Sequence, residues 1–316
     1  MRWDLYGLTG NPFELRPLNP LVDSEDTARL IDVDGFRRFG ELDGVLRETI
    51  AKGDSCVFLV TGESGCGRSS IANRLLDRYR ELRKIERRFF VTVPHPERLV
   101  DSSDPVSVFQ KWGLDLANEI ETLGLMSGES LQSIRMKISA PVTPVLFAAA
   151  IKPYFKQMID VLSDLKEPAG IGVCLEEVKP DSAFIFAALR IFSRLNTIVI
   201  LTALDTQEVR ENLLQPFVKK EPAFRHVELS GLDWEDVKLL VSKIWEESGS
   251  KTQIPFPFGN SPAQFARRQR PLGRTLYLFN SLLRLKLARP DREIHELNYT
   301  MEEFYSTLDI LEENVG

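Results

Sequence analysis

Residues Cys56 to Thr61, CVFLVT, offer no polar face, and they run directly into a turn with three glycines and then a segment of helical period, SIANRLLDRYREL. Successive side chains of a strand point to opposite faces of its sheet, so a strand apolar at every position needs a hydrophobic layer on both sides. A sheet with one wet face would alternate instead. The pattern returns at Arg88 to Val93, Ile171 to Glu176, Thr197 to Ala203 and Val227 to Leu229, with helical segments between. The expected fold class is therefore α/β, with a core of five parallel strands.

The intervening helices carry start signals. Ser69 and Ser70 follow the glycine turn, Asp104 and Pro105 precede VSVFQKWGLDLANEI, Pro180 and Asp181 precede SAFIFAALRIFSRL, and Asp205 precedes TQEVRENLL. After Ser230 no further strand pattern occurs. Helical segments take over at Trp234 to Ser248, Ser261 to Arg268, Arg274 to Leu287 and Met301 to Glu312, separated by Gly- and Pro-bearing breaks. The chain divides on this reading into an N-terminal segment over 1–50, helical from about Phe39 to Ala51, an α/β core over 51–229 and a helical lobe over 230–316.

Composition removes several function classes. With 316 residues, 43% of them hydrophobic, the chain has enough apolar surface for a sizeable core. A net charge of -6 argues against coating nucleic acid through bulk positive charge. DNA binding through a local patch stays open but is not indicated by that balance, and the basic runs at Arg83 to Arg88 and Arg267 to Arg270 read as solvated helix ends sooner than as phosphate-contacting patches. Cys56, Cys66 and Cys174 form no disulfide framework, which fits a reducing cytoplasm. His95, His226 and His295 are isolated, with no metal spacing. The N-terminal stretch lacks a signal-peptide core, and the apolar run VLFAAAI is too short to span a bilayer. No membrane association is expected.

The glycine turn is where chemistry enters. Gly62, Gly67, Arg68 and Ser69 match the phosphate-loop pattern GxxxxGK followed by Ser or Thr, except that Arg68 replaces the lysine. Glycines let successive amides turn inward around phosphate oxygens, and the helix start adds partial positive charge. The expected phosphate contacts come from Gly62, Glu63, Ser64, Gly65, Cys66, Gly67, Arg68, Ser69 and Ser70, with the Ser69 hydroxyl on Mg²⁺. Cys66 reads either as a small loop residue or as a reactive thiol activated by the helix start and Arg68. The strand GIGVCLEEV ends in two acids: Glu176 takes the metal side and Glu177 the role of base toward an attacking water.

These residues resemble the AAA+ ATPases, in particular the ORC/Cdc6 and TniB/ExeA types, with the STAND switch ATPases as relatives. YGLTGNPF looks like the Asn-Pro-Phe entry of TniB/ExeA proteins, and IDVDGFRRFGELDGVL corresponds to the segment that lies along the adenine. TIVILTALD looks like the sensor-1 strand, with Thr202 or Asp205 near the γ-phosphate. RPLGRTLYLFNSLL looks like the start of the sensor-2 helix, making Arg274 the residue of a helical lid that reaches the phosphates. Arg225 or Arg194 would serve as the finger given to a neighbouring subunit. The resemblance thus implies a P-loop NTPase core with a C-terminal lid, ATP or ADP with Mg²⁺, and self-association or a partner protein.

Two departures bear on turnover. Arginine is a planar fork with fixed donor directions, whereas lysine is a compact ammonium that fits between the β- and γ-phosphates. Glu176 in place of aspartate adds a methylene on the metal side. Both changes favour nucleotide binding over rapid hydrolysis, since only contacts strengthened in the transition state speed chemistry. The expected function is a nucleotide-dependent conformational switch or assembly ATPase in a DNA-transaction, defence or signalling complex. The alternatives are a catalytically inactive scaffold and a small-molecule kinase.

Overall fold

A computed structural model describes residues 3–34, 39–87, 90–93, 105–142, 146–163, 170–176, 190–192, 195, 197–214, 224–250, 252–260, 269–288 and 298–315. It divides into two compact units. One is drawn from Arg38–Thr61 and Ile71–Glu228, the other from Met1–Arg37, Gly62–Ser70 and Leu229–Gly316.

The first unit holds the sheet. Its strands are β1 (Cys56–Gly62), β2 (Phe90–Val93), β3 (Gly170–Leu175), β4 (Ile198–Leu204) and β5 (Phe224–Leu229), in the order β2-β3-β4-β1-β5, the last residues of β1 and β5 being counted with the second unit. β2 pairs parallel with β3, Phe90 opposite Gly170, and β3 pairs parallel with β4, Gly172 opposite Ile198. Every residue of β1 is buried, as its unbroken apolar run requires. Full burial of each such Val, Leu or Phe side chain contributes roughly 1.5–3 kcal/mol.

Helices α2 (Phe39–Ala51), α4 (Pro105–Thr122), α5 (Gly128–Ile138) and α6 (Phe147–Ser163) belong to this unit, as do most of α3 (Arg68–Leu82) and the short α7 (Gln207–Val209). Phe109, Trp112 and Phe155 pack with Phe192, with Phe109 edge-on to Trp112 and Phe155 edge-on to Phe192. Their cluster continues onto Val57, Leu59, Ile171, Val173, Val199 and Leu201 of the strands. Helices α5 and α6 were not foreseen from the sequence. α5 starts at Ser127, whose hydroxyl caps the Ser130 amide, and α6 carries Pro153 inside it, a residue that otherwise reads as a helix breaker. The expected helix after Asp181 and the one over Ser261 to Arg268 fall mostly or wholly outside the described residues.

The second unit is built around α8 (Trp234–Glu247), α9 (Leu272–Leu287) and α10 (Met301–Val315), with the four-residue helix α1 (Asp26–Arg29). Its core joins the two ends of the chain: Tyr6, Leu8 and Phe13 lie in one cluster with Trp234, Trp245, Phe256, Phe279 and Phe304. Tyr6 meets Trp245 edge-on at 5.4 Å, and Phe256 meets Phe279 at 4.9 Å. Asp233 caps α8 by accepting from the Asp236 amide at 2.8 Å. Among the described residues, no helix is long and apolar enough to cross a membrane.

Candidate functional site

β1 delivers the chain into the glycine loop, and α3 begins at Arg68. Gly65 and Gly67 sit at φ 76° and 95°, left-handed conformations that L side chains rarely adopt, so glycine is required at both places. The Cys66 amide closes the turn on the Glu63 carbonyl at 3.3 Å. Glu63, Ser64 and Gly65 are exposed, Gly67 and Ser69 half-buried, and Cys66, Arg68 and Ser70 buried. Arg68 retains 8% exposure, so its charge is held at the helix start rather than out in solvent.

Cys66 has two readings from the sequence, and its burial bears on them. Burial pushes its thiol up to about 11, against the opposing pull of Arg68. That disfavours the thiolate, because removing the charged form from water outweighs the nearby cation and the helix start. The plain reading, a small residue filling the loop, stands. Its sulfur lies only 2.4 Å from where a Cβ on Gly62 would be, so the thiol occupies space that only glycine at 62 leaves open.

Beside the first turn of α3 lies an apolar pocket. Pro12, Leu18, Leu30, Ile31 and Val33 form one wall, and Leu240 and Ile244 of α8 with Leu272 and Leu276 of α9 form the other. Ser70 also lines it, and its hydroxyl accepts from the Leu18 amide at 3.1 Å. One hydroxyl thus ties the N-terminal wall to the end of the glycine loop.

The rim of the pocket is ionic. Arg16 donates to both carboxylate oxygens of buried Asp26, at 2.6 and 2.7 Å, and Glu14 accepts from Arg16 and Arg29 at 3.1 Å each. The Arg16 guanidinium holds the Asp26 carboxyl below the usual range.

Arg274 is the third residue of α9, and the Gly273 amide just before it donates to the Gly65 carbonyl at 2.7 Å. The structure therefore brings the start of α9 against the glycine loop. Thr202 and Glu176 belong to the sheet unit. The β3–β4 register ends with Leu175 opposite Leu201, one residue before Glu176 on one chain segment and Thr202 on the other. Thr202 is buried on β4, and Glu176 follows the last residue of β3.

Asp205, the other sensor-1 candidate, is engaged by Arg210, which also bridges to Glu228 at 3.1 Å. That contact with Arg210 pulls its carboxyl below the usual range. Arg225 on β5 donates to the Phe224 carbonyl at 2.9 Å. Glu177 and Arg194 lie outside the described residues.

Among the described residues, no group of three or more His, Cys, Asp or Glu is placed to hold a metal. Mg²⁺ needs none, because it is commonly bound through one or two side chains with water and substrate phosphates completing the shell. A single hydroxyl at Ser69 and a single carboxylate at Glu176 suit that chemistry by type.

Sequence reasoning missed the far wall of the pocket. Leu240 and Ile244, like Leu272 and Leu276, stand four apart on one helix face, but the same spacing marks any core-facing helix. The signal was present and not distinctive.

No protein-family model matches the chain, and no curated protein matches it. Among solved structures it is similar to that of the Aeropyrum pernix ORC2 protein, determined as ADPNP-ADP complexes. The TM-score is 0.56 and identity 12%, over 97% of this chain and 73% of that one. At that identity the likeness carries the fold alone: an α/β architecture like that of the ORC2 protein.

Proposed function

We propose that the protein is an ATP-binding AAA+-like module, acting as a nucleotide-dependent conformational switch or assembly ATPase with slow hydrolysis. The observation that carries this reading is the pairing of a glycine loop, left-handed at Gly65 and Gly67, with an apolar pocket that shares Ser70 with it. The loop offers amides and a helix start to phosphates, and the pocket offers an apolar lining to a base. The ORC2 neighbour was solved with ADPNP and ADP, which supports an adenine nucleotide as the ligand.

In this reading Ile31 and Val33, within the segment expected along the adenine, cover one face of the base, and Leu272 and Leu276 the other. The contacts to phosphate come from Gly62 to Ser70. Buried Arg68 supplies fixed positive charge, Ser69 and Glu176 would hold Mg²⁺, and Arg274 reaches the phosphates from the first turn of α9. Bound Mg²⁺ would neutralise phosphate charge. Thr202 orients the attacking water, and Glu177 takes its proton. The helices after residue 230 act as the lid of a five-stranded core, and their response to nucleotide is read by another copy of the chain or by a partner protein.

Arg68 and Glu176 also favour a second reading, a scaffold that retains nucleotide without turnover. Isothermal titration with ATP on the purified chain, followed by assay of released phosphate, separates the two. Hydrolysis abolished by Glu177→Gln supports the ATPase, and tight ATP retention without phosphate release supports the scaffold. Arg68→Ala is expected to lose nucleotide, and Arg68→Lys to bind at least as well and hydrolyse faster. ATP binding by Arg68→Ala as tight as that of the parent chain would overturn the assignment of the loop.

A further inference from the structure

Helix α9 begins without a capping side chain: Pro271 occupies the N-cap and makes no side-chain hydrogen bond there. The first amides of a helix have no partner within it and must find one outside. The Gly273 amide finds the Gly65 carbonyl, in the middle of the glycine loop, at 2.7 Å. The approach is close. A Cβ on Gly273 would stand 3.1 Å from the Gly65 oxygen and 3.4 Å from its Cα.

The start of α9 is also held from its other side. Leu232 and Arg270 form an antiparallel bridge with both amide-to-carbonyl bonds made, at 2.7 and 3.0 Å. Just before it, Gly231 has φ 101°, and a Cβ there would lie 3.0 Å from the Arg270 oxygen. The Gly231 amide donates to one carboxylate oxygen of Asp34 at 2.8 Å. The Ser230 amide and hydroxyl donate to the other at 3.2 and 3.1 Å. Asp34 directly follows Val33, a wall of the apolar pocket.

We propose that these bonds form a clasp, running from Asp34 through Gly231, Leu232, Arg270 and Gly273 to Gly65, and that Gly273 is a positioning residue for phosphate binding. A peptide unit is planar, so holding the Gly65 carbonyl also fixes the Cys66 amide that closes the turn on Glu63. The loop is then shaped before any phosphate arrives, and the ordering that binding would otherwise require is already done. The clasp also links the pocket wall to the loop through the Asp34 carboxylate and main-chain bonds, independently of the side chain of Arg274. This rests on the nucleotide reading for its ligand, but the clasp itself is testable without one.

The test uses the full chain, with amide hydrogen exchange on the unliganded protein and titration with inorganic tripolyphosphate and with adenosine. Alanine is a better helix former than glycine, so a purely structural role for Gly273 predicts a Gly273→Ala chain of equal or greater stability and unchanged loop exchange. The clasp predicts exchange over 63–67 faster by about tenfold, tripolyphosphate binding weaker by about tenfold, and adenosine binding unchanged. Asp34→Asn, at the other end of the clasp, should give the same pattern at smaller amplitude, and it decides the matter if Gly273→Ala does not fold.

Loop exchange unchanged in the folded variants would overturn the clasp. Equal weakening of adenosine and tripolyphosphate, or faster exchange with tripolyphosphate binding intact, would overturn the positioning role. Faster loop exchange in a protein whose parent binds neither probe would keep the clasp and overturn the nucleotide reading instead.

Discussion

The sheet unit draws its core from Val57 through Phe224, whereas the other unit takes Tyr6, Leu8 and Phe13 from one end of the chain and Trp234, Phe256 and Phe304 from the other. Both cores are rich in edge-on aromatic pairs, and both bury large side chains completely. They differ in how far apart in sequence their partners lie. The glycine loop and the apolar pocket both belong to the unit assembled from distant segments, so ligand binding should report on that unit's packing more than on the sheet's.

The largest effects should come from hollowing each core in turn. Trp112→Ala and Phe279→Ala are each expected to cost about 3–5 kcal/mol in urea unfolding. ATP affinity of the folded fraction should fall only for Phe279→Ala, since Phe279 lies one turn beyond Leu276 of the pocket wall. Equal loss of affinity in the two variants would break the comparison.

Next in size, Leu276→Glu places a carboxylate in the apolar wall and should weaken ATP by about tenfold, roughly 1.4 kcal/mol, while leaving tripolyphosphate untouched. A matching loss for tripolyphosphate would mean that base and phosphate are not held by separate parts of the unit.

Asp26→Asn should cost roughly 1–3 kcal/mol, less than a fully buried pair because Arg16 is 40% exposed. The sign of its pH dependence follows from the lowered carboxyl. The stabilisation is present above the unfolded value near 3.9 and is lost as pH falls through the lower folded value. The parent should therefore lose this increment in acid, and the variant should lack that step. The acid step also serves as a control between units, because Arg78 lowers the Asp43 carboxyl of the sheet unit in the same way.

The smallest effect is Lys52→Ala. It removes an exposed pair with Glu48 on α2 and should leave the unfolding midpoint unchanged.

Much of the sheet was legible because a strand buried on both faces leaves a period that few other structures share. The runs at Cys56, Ile171 and Thr197 fall on β1, β3 and β4 to within a residue or two. Glu176 reads as a strand residue but stands just beyond β3, an end effect that hydrophobic pattern does not resolve. α6 was hidden by Pro153, which removes one backbone donor but is tolerated in a helix whose Ile151, Phe155 and Met158 are fully packed. The glycine loop was legible letter by letter. The state of Cys66 was not, since burial rather than its neighbours in sequence sets its thiol.

By itself the sequence determined the α/β class and the strand-to-loop-to-helix order of residues 56–82, because each depends on interactions only a few residues apart. Tertiary structure alone decided that residues 3–34 share a core with the helices after 229, that Leu240 and Leu276 face the same pocket as Ile31, and that Gly273 meets Gly65. Those outcomes depend on which apolar faces cover one another. Hydrophobic burial is non-directional, so a pattern of apolar positions shows that a face is covered without showing what covers it.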